Sequence, residues 1–206
     1  MTATSYVQGY TGRLETRLTV PPTPKAGQVA VVCHPHPLFG GTMDNKVVTT
    51  IVRAFKEQGI TVVTFNFRGV GHSDGVHDNG NGEIDDAVAV ITWALAQTQA
   101  TELYLAGFSF GSYIAAATVS RLSDLPVQLK QLLLVAPPVH HYPFVGLQLP
   151  AKTLVVQGDA DEVVPAEEVF TWAKQQSLTV IRFADCSHFF HGRLMELRQS
   201  ILENLV

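Results

Sequence analysis

Several segments of the chain are apolar on consecutive positions and rich in Val, Leu and Ile: Gln28 to Cys33, Ile60 to Phe67, Glu102 to Ala106, Gln131 to Ala136, Thr153 to Gln157 and Thr179 to Phe183. A strand with one wet face alternates apolar and polar residues, whereas a strand covered on both faces does not. These segments therefore predict a sheet sandwiched between helices. The stretches between them, Asn45 to Gln58, Glu83 to Gln97, Phe110 to Arg121, Ala166 to Gln175 and Gly192 to Asn204, place apolar residues three and four apart. That spacing predicts amphipathic helices, each long enough to cross over between two parallel strands. Tyr10 to Val20 alternates with a period of two and ends at Pro21-Pro22-Thr23-Pro24, which predicts an antiparallel edge element followed by a loop. No internal repeat or low-complexity tract interrupts the order. The fold class is α/β, with a mostly parallel central sheet and helices on both faces.

Composition bounds what such a sheet can belong to. With 206 residues, 46% of them hydrophobic, the chain is expected to form a single domain, 1–206, around one sheet. A net charge of -4 leaves no basic footprint for nucleic acid. No apolar segment approaches the roughly 20 residues needed to cross a bilayer, so membrane insertion is not expected. The start MTATSYVQGYTGRLE lacks the basic and apolar regions of a secretory signal, which points to the cytoplasm. Cys33 and Cys186 are too few for a disulfide framework and read as small buried residues. The oligomeric state is not legible, and a monomer is compatible with every feature above.

The chemistry concentrates at LYLAGFSFGSYIAAA, where Ser109 stands between Gly107 and Gly111, after an apolar run and before an alanine-rich one. The segment predicts strand, abrupt turn and helix, the setting in which a serine hydroxyl is exposed as a nucleophile. The competing reading is a serine that caps a helix N-terminus. A nucleophilic serine needs a base to take its proton and an acid to orient that base. In a doubly wound sheet these groups belong in loops beyond the carboxyl ends of strands. The loop after Thr153 to Gln157 offers Asp159, Asp161 and Glu162, and the loop after Thr179 to Phe183 offers Asp185 and His188. The order is Ser, Asp, His.

That order and these loops resemble the α/β-hydrolase superfamily, from about Gly9 to the end of the chain. Within it the chain is similar to small lidless bacterial serine esterases that carry the segment found here as His34 to Val48, His-Pro-His-Pro-Leu-Phe-Gly-Gly-Thr-Met-Asp-Asn-Lys-Val-Val. The resemblance implies Ser109 as nucleophile, Asp161 as acid in Gly-x-x-Asp-x-x-Val-Pro, and His188 as base in Ser-His-Phe-Phe. Asp159 competes with Asp161, but the Val163-Val164-Pro165 continuation favours Asp161. His191, just before Gly192, reads as a helix-start or supporting residue, and Glu162 and Glu167 as surface residues. One departure is Gln157, where many relatives have His before the Gly.

Attack on a carbonyl also needs amide donors for the developing oxyanion. Phe110, the residue after the nucleophile, supplies one. The second comes from the loop after Gln28 to Cys33, where Pro35 and Pro37 have no N–H and His36 or Leu38 remains. The Leu38-Phe39-Gly40-Gly41 continuation, similar to the oxyanion loop of dienelactone-type hydrolases, favours Leu38.

Only Pro137 to Lys152 separate two consecutive core strands, which leaves no room for a lid and predicts a shallow site for short-acyl esters. His140, Tyr142, His141 and Phe144 in that segment read equally as a rim or acyl wall and as exposed loop residues, and on the first reading they join His36 and Phe39 as candidate substrate-binding residues. His34 and His36 do not read as metal ligands, since alternate residues of an extended segment point opposite ways. Neither metal nor cofactor is expected. Arg68-Gly69-Val70-Gly71-His72-Ser73 resembles a structural turn of the superfamily in which Arg68 ties down loop carbonyls. Glu83, Asp85 and Asp86 read as acids facing a helix dipole. The sequence thus predicts a serine hydrolase, a carboxylesterase acting on a small-molecule ester through a covalent acyl-enzyme. Thioesterase or peptidase action uses the same groups, and a non-catalytic binding protein could retain the same fold.

Overall fold

The computed structural model describes residues 2–206. Its centre is an eight-stranded sheet in the order β1-β2-β4-β3-β5-β6-β7-β8. The strands are β1 Thr2–Gln8, β2 Arg13–Thr19, β3 Gln28–Cys33, β4 Thr61–Phe65, β5 Glu102–Phe108, β6 Gln128–Val135, β7 Thr153–Gly158 and β8 Thr179–Phe183. From β4 to β8 all neighbours run parallel, and β1 and β2 form an antiparallel hairpin that joins β4 through β2. The helices are α1 Lys46–Glu57, α2 Asn81–Thr98, α3 Phe110–Thr118, α4 Ala166–Gln175 and α5 Leu194–Asn204.

The consecutive apolar runs are explained by two cores, one on each face of the sheet. Val29, Val31, Leu103, Leu105, Leu132, Leu134 and Val155 face α2, α3 and α4. Their neighbours Ala30, Val32, Tyr104, Leu133, Val135, Leu154 and Val156 face α1 and α5. A one-residue slip of any central strand would exchange the two sets, so register is fixed by shape on both sides. Helix α1 shows how the covering layer forms. Asn45 caps it by accepting from the Val47 amide at 2.9 Å, and Val47, Val48, Ile51, Ala54 and Phe55 are then buried on one face. Each large apolar side chain in that stripe contributes about 1.5–3 kcal/mol.

The sequence-based boundaries shift in instructive places. The edge element expected over Tyr10 to Val20 is the second strand of a hairpin, and its partner β1 has too few apolar positions, only Val7 being buried, to announce itself. The helix expected over Phe110 to Arg121 ends as an α-helix at Thr118 and tightens into a 3-10 turn over Val119–Asp124. The segment from Pro137 to Lys152 crosses between β6 and β7 without helix or strand. Among the described residues no helix is long and apolar enough to cross a membrane.

Candidate active site

Ser109 sits between β5 and α3 with φ 53° and ψ -123°, a conformation that costs a non-glycine residue about 1–3 kcal/mol. The surroundings hold it there. Its amide donates to the Val135 carbonyl of β6 at 2.9 Å, and its carbonyl accepts from the Ser112 amide at 2.8 Å and the Ser112 hydroxyl at 2.6 Å. Both flanking glycines are required by contact. A Cβ on Gly107 would strike the Gly111 carbonyl, and one on Gly111 would strike the carbonyls of Cys33 and His34. The Ser109 side chain makes no capping hydrogen bond to α3. Instead its Oγ lies 3.1 Å from His188 Nε2.

His188 leaves the loop after β8, and its Nδ1 lies 2.8 Å from Asp161 Oδ2 in the loop after β7. Their side chains are 3% and 0% exposed. Asp161 is satisfied on both oxygens: Oδ1 accepts from the amides of Val163 (2.9 Å) and Val164 (2.7 Å), and Oδ2 also accepts from Gln157 Nε2 at 3.0 Å. Burial alone would raise this carboxyl. The hydrogen bond and charge of His188, with the Val164 and Val163 amides, outweigh burial and hold it below the usual carboxylate range. An ionised Asp161 accepts from Nδ1–H, which fixes the tautomer and leaves the Nε2 lone pair for the Ser109 hydroxyl.

The neighbouring candidates do other work. Asp159 accepts from the Asp185 amide at 2.7 Å and so ties the β7 loop to the β8 loop. Glu162, though exposed as expected, accepts from the His188 amide at 3.1 Å. Glu167 and His191 are exposed. Gln157 and Glu162 are the contacts the sequence reading missed. A signal existed for the first, because a fully buried polar residue at the end of an apolar strand needs a partner.

Ser109 lines two cavities, which share His36, Phe39 and Val163. One, about 200 Å³, is walled by Ser109, Phe110 and five of the six candidate substrate-binding residues, His36, Phe39, His140, His141 and Tyr142, whereas the sixth, Phe144, is buried in the core against Trp172. The other, about 320 Å³, includes His188, Phe189, Gly40 and Gly41. Between them the loop after β3 forms a single 3-10 turn, Pro37–Phe39, that exposes Leu38 and Phe39 as an apolar lip. Here one expectation changes. The Leu38 amide donates to His36 Nδ1 at 3.2 Å and is therefore engaged by a side chain. Among the described residues the His36 amide has no hydrogen-bond partner, which favours His36 as the second donor.

The polar residues behind the site are bound to one another. His34 Nδ1 lies 2.6 Å from the Pro35 carbonyl and its Nε2 accepts from the Phe67 amide at 3.0 Å, so both ring nitrogens are occupied by main chain. Burial, opposed by the Pro35 contact, lowers its pKa to about 4. Arg68 grips Asp86 through Nε at 3.0 Å and Nη2 at 2.7 Å, in place of the loop carbonyls expected for it. Asp86 is thus an ion-pair partner one turn inside α2 and not a group facing the helix dipole. Glu83 does serve the helix start, accepting from the Gly80 amide at 2.8 Å. Asp85 pairs with Arg121 at the surface. His77 Nδ1 approaches Glu83 Oε1 at 2.8 Å without hydrogen-bond alignment, and its ring packs against His36 at 4.9 Å.

A sharp serine turn at the carboxyl end of a parallel strand, on a doubly wound sheet with a hydrogen-bonded histidine and aspartate on later loops, defines a class. The chain belongs to the alpha/beta hydrolase fold family, whose pattern matches residues 32–150. Its similarity to solved structures is high. XC6422 of Xanthomonas campestris, described as an a/b serine hydrolase without lid, is 42% identical with a TM-score of 0.92, covering 98% of this chain and 93% of that one. An alpha-beta serine hydrolase homologue from Coxiella burnetii is 45% identical with a TM-score of 0.90, covering 99% and 97%. The uncharacterized protein RP471 of Rickettsia prowazekii (strain Madrid E) is 37% identical over 215 residues, 98% of this chain and 87% of the relative.

Proposed function

We propose that the protein is a cytoplasmic serine hydrolase that cleaves short-acyl carboxylic esters without metal or cofactor. The observation that carries this reading is the unbroken relay from Asp161 to His188 to Ser109, at 2.8 and 3.1 Å, opening onto two cavities that Ser109 lines. The relatives described as serine hydrolases support it. In the first step Ser109 Oγ bonds to the acyl carbon while its proton passes to His188 Nε2, and the carbonyl electron pair moves to oxygen. The amides of Phe110 and His36 receive that oxyanion, and losing one such donor typically costs about 3–4 kcal/mol of transition-state stabilisation. The imidazolium then protonates the departing alcohol as its bond to carbon breaks, leaving an acyl-serine. Water gives a proton to His188 and attacks the acyl carbon, and Ser109 leaves with the proton returned to it.

The ester and short-acyl parts of the proposal rest on the uncovered site, since the 137–152 crossing supplies rim residues and no helical cover. Buried, unpaired Cys33 and Cys186 fit a reducing compartment. Fluorophosphonate labelling and p-nitrophenyl acetate hydrolysis test the reading. Ser109→Ala is expected to abolish labelling and to lower kcat on the order of 10⁴-fold or more. Retained turnover in that variant would remove Ser109 from the chemistry.

A further inference from the structure

The two cavities beside Ser109 are not equivalent, and proton transfer tells them apart. The departing alcohol must receive its proton from His188 Nε2, so it has to lie within hydrogen-bond reach of that ring. Only the cavity of about 320 Å³ has His188 in its wall, with Phe189 beside it. The cavity of about 200 Å³ has Ser109, Phe110 and Tyr142 in its wall and not His188. Its walls are chiefly rings. His36 meets Phe39 at 4.7 Å and Phe110 at 5.1 Å, Phe110 meets Tyr142 at 5.4 Å, and His141 meets Tyr142 at 4.8 Å, all tilted or edge-on.

From these placements, and resting on the serine-hydrolase reading above, we infer that the ring-lined cavity is the acyl subsite and admits a compact aromatic acyl group, while the alcohol lies in the cavity beside His188. Size and chemistry both point there. At about 200 Å³ the space falls below the about 300 Å³ at which pockets begin to enclose drug-sized ligands, so it holds one ring and not a long chain. Tilted rings present faces and edges to a flat guest, the offset and T-shaped contacts that aromatic pairs prefer. A ring substituent finds polar partners as well. Burial, then Glu83 and Tyr113, push the Tyr142 hydroxyl up to about 12, so it stays a donor, and among the described residues it has no hydrogen-bond partner. Burial and the neighbouring His77 and His141 keep His36 down, so its ring is neutral at pH 7.

Methyl phenylacetate and benzyl acetate are constitutional isomers that carry the same ring on the acyl or the alcohol side. With each kcat/KM divided by the rate of alkaline hydrolysis, the acyl-side isomer is expected to be favoured by about tenfold, the scale of one or two ring contacts. Tyr142→Leu, and His141→Ala at an exposed position where folding is safe, should each lower that ratio several-fold. Phe189→Ala should raise it. Benzyl acetate cleaved as well as its isomer, or a ratio unmoved by both Tyr142→Leu and His141→Ala, would overturn the assignment. Fluorophosphonate labelling of Ser109 separates the two levels: labelling without the ratio sinks this inference alone, and no labelling sinks the hydrolase reading with it.

Discussion

Replacing Gln157 with leucine isolates the part of the relay that lies furthest from substrate. Gln157 is fully buried, lines neither cavity beside Ser109, and donates from Nε2 to Asp161 Oδ2, the oxygen that also faces His188. Leucine keeps the approximate volume and removes the donor. A hydrogen bond to a charged group contributes about 1.5–3 kcal/mol, and at about 1.4 kcal/mol per factor of ten its loss can lower kcat by roughly 10- to 100-fold. KM should change little, because nothing that touches substrate has changed. The substitution also gives up the 3.0 Å bond from Nε2 to the Gly158 carbonyl, and against that loss it removes Gln157 Oε1, a buried acceptor without a partner among the described residues. Steady-state kinetics of p-nitrophenyl acetate, with thermal melts of the same preparations, separate the two effects. A kcat within twofold of the wild type at unchanged Tm would refute the idea that the carboxylate needs this amide to keep its orientation.

Other consequences can be measured directly. Arg68→Ala strands Asp86, whose side chain is 0% exposed, and should cost about 3–5 kcal/mol in urea unfolding, part of it recovered in the Arg68→Ala/Asp86→Ala double variant; a loss under about 1 kcal/mol would contradict it. His34 takes up its proton at about 4 in the folded protein and near its ordinary 6.5 when unfolded, so the unfolded chain binds more protons between those values. Stability from this group is therefore complete above pH 6.5 and falls by up to about 3 kcal/mol as pH drops towards 4. His34→Gln should flatten that dependence in denaturation series at pH 7 and 4.5, and an unchanged slope would remove His34 as its source. Gly111→Ala drives a methyl group onto two main-chain carbonyls and should destabilise by about 3 kcal/mol with loss of activity; a folded, active variant would show the elbow to be looser than its packing implies.

What could be read from the sequence follows the strength of local constraint. The central strands were legible because apolar runs such as Val29 to Cys33 have one physical explanation, burial on both faces. The turn at Ser109 was legible because its glycines answer to backbone contacts that no other residue tolerates. Strand β1 was hidden, since TATSYVQ gains its place only by pairing with β2. The partner of Arg68 was hidden for a similar reason: eighteen positions separate it from Asp86, and nothing local distinguishes a carboxylate from a carbonyl as its acceptor. Leu38 is a subtler case. The choice between its amide and that of His36 depends on where one imidazole turns, and side-chain direction within a loop has no signature in composition or spacing.

Ser109, Asp161 and His188 each stand one to five residues beyond the ends of β5, β7 and β8, adjacent or near-adjacent strands of one hydrogen-bonded sheet. The spacing of these three groups is thus set largely by the ladder, with the short loops that carry Asp161 and His188 tied to each other through the Asp185 amide and Asp159. Heating should therefore show no interval in which the protein is intact but idle, and thermal inactivation and cooperative melting should trace the same curve.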